Sequence, residues 1–284
     1  MKMSDLPRRT IEELKTRYFC EPDLFDLYVE GEFDQQLITS WCKKNLEKKI
    51  VPYEIDTVDI PMELLGKYNL TEGQKQRVIT LAKELADQGL QGYKCLVDKD
   101  LDHWLGRVEE VPNLLWTDYC SVEAYFFNEA LLKRIVLEVS SAKIVDWAVF
   151  FNSFVEVLKS LYCLRLTDAS MQLSMKWIEL DKYISVKNSE IQFDDKLYAE
   201  RTILQNKHSS KKEQFLSEFI AWMGKIKGDP RLYTRGHDFV KMIAITNKNC
   251  KGVKGYQDVE TIERLFIALV DEIEELIDHI IKSL

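Results

Sequence analysis

Apolar residues follow two different rhythms along this chain, and the change falls near residue 120. Before it, short apolar runs alternate with stretches of helical spacing. Leu24 to Val29 reads as a strand. Gln35 to Lys49 reads as a helix with Leu37, Ile38, Trp41 and Leu46 inward, and Val51 to Ile60 as a second strand stopped by Pro61. Thr71 is a candidate cap for a helix from about Glu72 to Gln88, with Val78, Leu81, Ala82 and Leu85 on one face. Gly89 and Gly92 close that helix ahead of a strand from Tyr93 to Val97, and Asn113 to Trp116 forms another short strand. Strands alternating with helices predict an α/β fold with a mainly parallel sheet. Such sheets bind ligands outside the carboxyl ends of their strands, at a topological switch point.

After residue 120 strands are hard to find, and 3.6-residue spacing runs through Val122 to Glu138, Lys143 to Leu164, Ser170 to Glu179 and Lys211 to Lys225. The most regular stretch is the last, where Val259, Ile262, Phe266, Leu269, Ile273, Leu276 and Ile280 form one seam opposite an acidic face. Three heptads are short for an independent coiled coil, so docking on its own domain is favoured over a partner helix. The chain is thereby expected to divide into an α/β domain over 1–125 and a mostly helical domain over 126–284, with loops at 181–195 and 224–236 where Gly, Pro, Asp and Asn accumulate.

Composition narrows the setting. With 46% hydrophobic, 30% charged and 11% aromatic residues, the 284-residue chain reads as globular rather than disordered. No apolar run approaches the roughly 20 residues of a membrane span, and the first twelve residues lack the apolar core of a signal peptide, so a cytoplasmic, membrane-free protein is expected. The six cysteines show no paired C-x-x-C spacing, which argues against zinc and disulfides. The net charge of −8 is uneven: residues 205–256 hold eleven Lys and Arg against four Asp and Glu, while 257–284 hold two against eight. A basic surface near Lys207, Lys211, Lys212, Lys241, Lys248, Lys251 and Lys254 is either a phosphate-binding face or a solvated one.

The candidate chemistry lies in carboxylates. Cys95-Leu96-Val97-Asp98-Lys99-Asp100-Leu101-Asp102 is an apolar strand running into three acids at alternate positions, and alternate residues of a strand share a face. Upstream, Leu27-Tyr28-Val29-Glu30-Gly31-Glu32-Phe33-Asp34 is a second apolar strand that breaks at an acid and a glycine. Oxygen ligands select hard cations, and Mg²⁺ commonly takes one or two protein carboxylates and keeps open positions for water and phosphate oxygens. Only four histidines occur, and just His103 lies nearby, so a metal-dependent mechanism is favoured over a histidine-dependent one.

The glutamate after the first strand, joined to D-x-D after the third, resembles the TOPRIM signature of topoisomerases, primases and overcoming-lysogenization-type nucleases. The match covers roughly residues 20–120. Further landmarks are Gly73-Gln74-Lys75, Leu115-Trp116-Thr117-Asp118, Ser121-Val122-Glu123-Ala124-Tyr125 and Arg235-Gly236-His237-Asp238. With them the chain resembles a TOPRIM family of bacterial defence islands, the toxin subunits of PARIS-type anti-phage systems. That resemblance implies a Mg²⁺- or Mn²⁺-dependent nuclease held inactive by an ABC-type ATPase sensor, which dimerises on release and cuts host transfer RNA to stop translation.

Matched residue by residue, the resemblance implies Glu30 as metal ligand or base, and Asp98 and Asp100 as the Mg²⁺-holding pair. Asp102 is a further candidate ligand. Glu123 is either an additional site acid or a carboxylate favoured by a helix dipole, and Asp34 fits a first-turn helix acid better than a ligand. Lys75 either meets a phosphate or is solvated. His237 and Asp238 fit core or interface hydrogen bonding better than chemistry, and Lys241, Lys248, Lys251 and Lys254 are the candidate nucleic-acid contacts. The alternatives are a TOPRIM DNA nuclease, a regulatory subunit with a degenerate site, a nucleotide-sugar transferase using D-x-D, and a haloacid-dehalogenase-like phosphatase. The last places its D-x-D after the first strand rather than the third.

Overall fold

The computed structural model describes residues 8–45 and 50–282, and the chain divides into two compact units. The first gathers 1–99, 108–118 and 266–284; the second gathers 100–107 and 119–265. This division differs from a single cut after residue 125, because the chain passes between the units at 99/100, within the D-x-D motif, and returns to the first unit at its end.

The first unit is built on a parallel four-stranded sheet of β2 (Asp26–Val29), β3 (Val51–Glu54), β5 (Tyr93–Val97) and β6 (Leu114–Trp116), in the spatial order β3-β2-β5-β6. A small parallel pair joins β1 (Arg9–Thr10) to β4 (Val58–Asp59). Every residue of β2 is buried, as expected for a parallel strand covered on both faces. Tyr28, Tyr93, Cys95 and Val97 face a core with helices α1 (Ile11–Cys20) and α4 (Gln74–Ala86), which supply Leu14, Tyr18, Val78 and Leu85.

Several expected boundaries move. Helix α2 (Glu32–Lys44) begins three residues early, because the Asp34 carboxylate accepts the Gly31 amide at 3.2 Å and closes the first turn. Leu46 lies outside the described residues. The expected strand from Val51 to Ile60 is broken by a 3₁₀ turn over Ile55–Thr57, which separates β3 from β4. Gly73 rather than Thr71 caps α4, preceded by the short helix α3 (Met62–Lys67). Gln74 and Arg77 both bond Asp56, tying the start of α4 to the 3₁₀ turn.

The terminal seam is not one helix. It runs as α11 (Val259–Ala268), a 3₁₀ turn over Val270–Ile273 and α12 (Glu274–Lys282), after the short helices α5 (Asp102–Leu105) and α6 (Glu129–Lys133) earlier in the chain. From Phe266 onward it belongs to the first unit, where Phe266, Val270, Ile273, Leu276 and Ile280 are fully buried. Lys44 at the end of α2 pairs with Asp271 at 2.7 Å. The seam is thus divided: Val259 and the buried Ile262 belong to the helical unit, and the part from Phe266 on belongs to the sheet-bearing one.

The second unit is mostly helical: α7 (Trp147–Ser170), α8 (Asp195–Gln205), α9 (Lys212–Lys225) and α10 (Gly236–Asn249). Helix α7, with 24 residues, is long and apolar enough to cross a membrane by length and composition, contrary to the expectation that no such run exists. Half of its most apolar window is buried, with Phe150, Phe154, Leu161 and Leu164 inward, as in a core helix. A hairpin of β7 (Ile184–Lys187) and β8 (Glu190–Phe193) replaces the expected loop. Asn188 and Ser189 both take positive φ, the conformation a two-residue hairpin turn needs.

The stretch from Ser170 to Glu179 is not helical beyond its first residue. Side chains capture its amides instead: Asp168 accepts from Met175 and Asn206 from Lys176. The run from Val122 to Glu138 is also divided. It forms a 3₁₀ turn over Val122–Phe126, then α6 capped by Asn128, then a π-helical stretch over Arg134–Val139. All six cysteines are free thiols, four of them buried.

Candidate active site

In the order β3-β2-β5-β6, the chain leaves β2 toward one side and later returns on the other, so the gap between β2 and β5 is the topological switch point. Glu30 follows the last residue of β2 and Asp98 the last residue of β5. The two strands are parallel neighbours, with Tyr28 opposite Cys95, so both acids stand at the same rim. The rim is locally tied: the Glu30 Oε1 accepts the Asp98 amide at 2.9 Å. Both side chains are half-buried.

Strand β6 adds a residue that spacing did not single out as a site member. The fully buried Thr117 donates its amide to the Val97 carbonyl at 3.0 Å, and its Oγ1 accepts the Lys99 amide at 3.1 Å. Lys99 Nζ donates to the Asp118 carbonyl at 2.9 Å. The turn between the two acids of D-x-D is thereby held through Lys99. Lys75 is buried in the first turn of α4, which removes its solvated reading. Asp34 serves the α2 cap, as a first-turn acid does.

Asp100 and Asp102 belong to the second unit, and the strand alternation invoked for Asp98 and Asp100 does not hold. Strand β5 ends at Val97, and Asp100 takes a left-handed φ of 43°. Such a backbone is uncommon outside glycine, Asn and Asp. It is fixed on both sides: the Asp100 amide donates to the Cys120 carbonyl at 2.7 Å, and Tyr162 Oη donates to the Asp100 carbonyl at 2.7 Å. Asp102 opens α5, 4.0 Å from Arg107 Nη1.

The Arg-Gly-His-Asp segment explains itself in this unit. A Cβ on Gly236 would overlap the Glu123 carboxylate, so the glycine makes room for that acid. Burial raises the Glu123 pKa, and the carboxylates of Asp100 and Glu263 add to the rise. Asp238 is buried between two arginines, with Arg165 Nη2 at 3.3 Å from Oδ1 and Arg235 Nη1 at 3.8 Å from Oδ2. Burial alone would raise its pKa, yet the two guanidinium groups outweigh it and hold the carboxyl below its ordinary value. Arg235 also lies 3.7 Å from Asp100 Oδ1. Arg165 and Tyr162 carried no sequence signal beyond their place in an apolar helix.

Of the basic surface, Lys207, Lys211, Lys248, Lys251 and Lys254 are exposed, whereas Lys241 is half-buried. Lys212 pairs with Glu200 at 2.8 Å and Lys248 with Asp181 at 3.5 Å, which lowers the net charge that face offers.

The donors at the rim are carboxylates, which fits a hard divalent cation that takes one or two protein ligands. A closed cage is a different matter: among the described residues, no group of three or more His, Cys, Asp or Glu side chains gathers closely enough to hold a metal ion. Neither a family model nor a curated protein matches this chain.

Proposed function

We propose that this protein is a metal-dependent nuclease of the TOPRIM type, acting as the effector of an anti-phage system that stops translation by cutting host transfer RNA. The observation that carries the reading is the placement of Glu30 and Asp98 at the carboxyl ends of two adjacent parallel strands, across the switch point. In this reading Glu30 and Asp98 hold Mg²⁺ or Mn²⁺, with Asp100 two residues further along the chain. The ion supplies charge neutralisation at a non-bridging phosphate oxygen and a water of lowered pKa. Glu30 keeps the Asp98 amide in place, and Thr117 keeps the Lys99 turn in place, so that the acids stay aligned as substrate enters. An ABC-type ATPase partner, a homodimeric active form and a cytoplasmic location complete the proposal.

The test is to express the protein in cells, sequence RNA ends, and assay the purified chain on transfer RNA with Mg²⁺, with Mn²⁺ and with EDTA. Cleavage that needs metal and disappears in Asp98→Asn and Glu30→Gln supports the reading. Undiminished cleavage by a folded Glu30→Gln protein sinks it. DNA cleavage with the same residue dependence would move the protein to a DNA nuclease of the overcoming-lysogenization type. The alternative reading is a regulatory subunit of a defence ATPase whose rim no longer serves chemistry. Co-purification with an ATPase, and no nucleolysis in any metal, would select it.

A further inference from the structure

The second unit holds a cleft of about 720 Å³ lined by Arg107, Arg165, Arg235 and His237 together with Trp177 and Asp168. Its volume lies within the range of about 300–1,000 Å³ typical of ligand sites. The arginines are not loose surface charges. Arg165 lies 4.3 Å over the Trp177 ring, and its Nη2 donates to the buried Asp238 carboxylate at 3.3 Å. Arg235 is held electrostatically, 3.8 Å from Asp238 and 3.7 Å from Asp100. The Nε atoms of Arg165 and Arg235 are both buried and make no hydrogen bond among the described residues. Planar guanidinium groups fixed in this way meet phosphate oxygens without first losing side-chain freedom.

The lining itself favours an anion: three arginines stand against one carboxylate, Asp168, which is engaged by the Met175 amide and Trp177 Nε1, while the arginines' other partners, Asp238, Asp100 and Asp102, do not line the cleft. Arg107 is exposed, and its ion pair with Asp102 is long at 4.0 Å. Leu101 and Arg107, which line the cleft, come from the same segment, Asp100–Arg107, as Asp100 and Asp102. The Trp177 ring is stacked against Tyr198 at 5.6 Å and covered by Arg165, so it offers no free platform for a base.

We propose that this cleft binds the sugar-phosphate backbone of a single-stranded nucleic acid, with Arg107, Arg165 and Arg235 taking phosphodiester oxygens beside Asp100. The choice of nucleic acid as the ligand rests on the nuclease reading above. Recognition is through the backbone, so base sequence contributes little.

The test uses the full chain in EDTA, with short fluorescein-labelled single strands of RNA and of DNA, followed by anisotropy across a salt series. Arg107→Ala is expected to weaken binding roughly tenfold, the loss of one charge-assisted contact, and to reduce the salt slope by about 0.7. Arg165→Lys keeps the charge and a partner for Asp238; it is expected to weaken binding while leaving the slope unchanged. Matching unfolding midpoints verify that both variants are folded. Tighter binding of RNA, or equal binding of RNA and DNA, supports the cleft and says which strand it serves. Wild-type affinity in both variants, no binding of either strand by wild type, or equal competition by inorganic phosphate alone would overturn it. Restoring metal then separates the two readings. Strand binding through the cleft without cleavage sinks the nuclease and leaves the cleft, whereas cleavage with unaffected variant binding sinks the cleft alone.

Discussion

Replacing Asp238 by Asn keeps the shape of the side chain and removes one buried negative charge shared by two arginines. Each guanidinium sits within 4 Å of the carboxylate, where a unit pair at an effective dielectric of about 20 gains about 4 kcal/mol before desolvation is counted. Removing one partner of a buried pair costs about 3–5 kcal/mol, because the remaining charge is stranded. Here the lower end applies: Asn can still accept from Arg165 through its amide oxygen, and Trp177 continues to cover that guanidinium. A loss of about 3 kcal/mol corresponds to a fall of about 6–12 °C in the melting temperature of a unit this size. Urea and thermal unfolding followed by circular dichroism measure it.

The pH dependence gives a second reading of the same perturbation. Because the Asp238 pKa is lowered on folding, its contribution is fully present above the unfolded carboxyl pKa and is lost as pH falls through the folded value. The gap between wild type and Asp238→Asn is therefore widest above about pH 5 and narrows in acid below about pH 4. A variant within about 0.5 kcal/mol of wild type at pH 7, or a gap that widens in acid, would refute the argument.

The other expectations concern the rim and its supports. Glu30→Gln keeps an acceptor for the Asp98 amide and should stay within about 1 kcal/mol of wild type, whereas Glu30→Ala leaves that amide without it and should lose about 1–3 kcal/mol by urea titration; equal stabilities would contradict the bond's role. Gly236→Ala forces a methyl group into the Glu123 carboxylate and should cost about 1–3 kcal/mol, with an unchanged unfolding midpoint counting against the packing. Tyr162→Phe removes the hydroxyl that holds the left-handed Asp100, so a loss of about 1 kcal/mol is expected and, for the proposed nuclease activity, a higher Mg²⁺ requirement. An unaltered Mg²⁺ titration would limit Tyr162 to a structural part. Reversing Lys248, Lys251 and Lys254 to Glu should change strand affinity less than Arg107→Ala does, a ranking that anisotropy decides.

The order of residues alone was enough to establish the alternation of strand and helix in the first part and the strand Tyr93–Val97. It also put Glu30 and Asp98 at strand ends, because burial on both faces writes short apolar runs whose ends are marked by polar residues. The path of the chain beyond those ends was not legible in it. Alternation along a strand suggested that Asp98 and Asp100 share a face, but the strand stops at Val97, and bonds from Cys120 and Tyr162 set the turn. Helical periodicity likewise misread Ser170 to Glu179, where Asp168 and Asn206 bind amides that a helix would have used. The terminal heptads were legible as an apolar seam, yet it divides at Phe266, and the contacts of its second half within the first unit, Lys44–Asp271 among them, join residues more than two hundred apart in sequence. The arginine cleft was hidden for the same reason. Arg107, Arg165 and Arg235 stand far apart along the chain, and only packing around Asp238 and Trp177 makes them one surface.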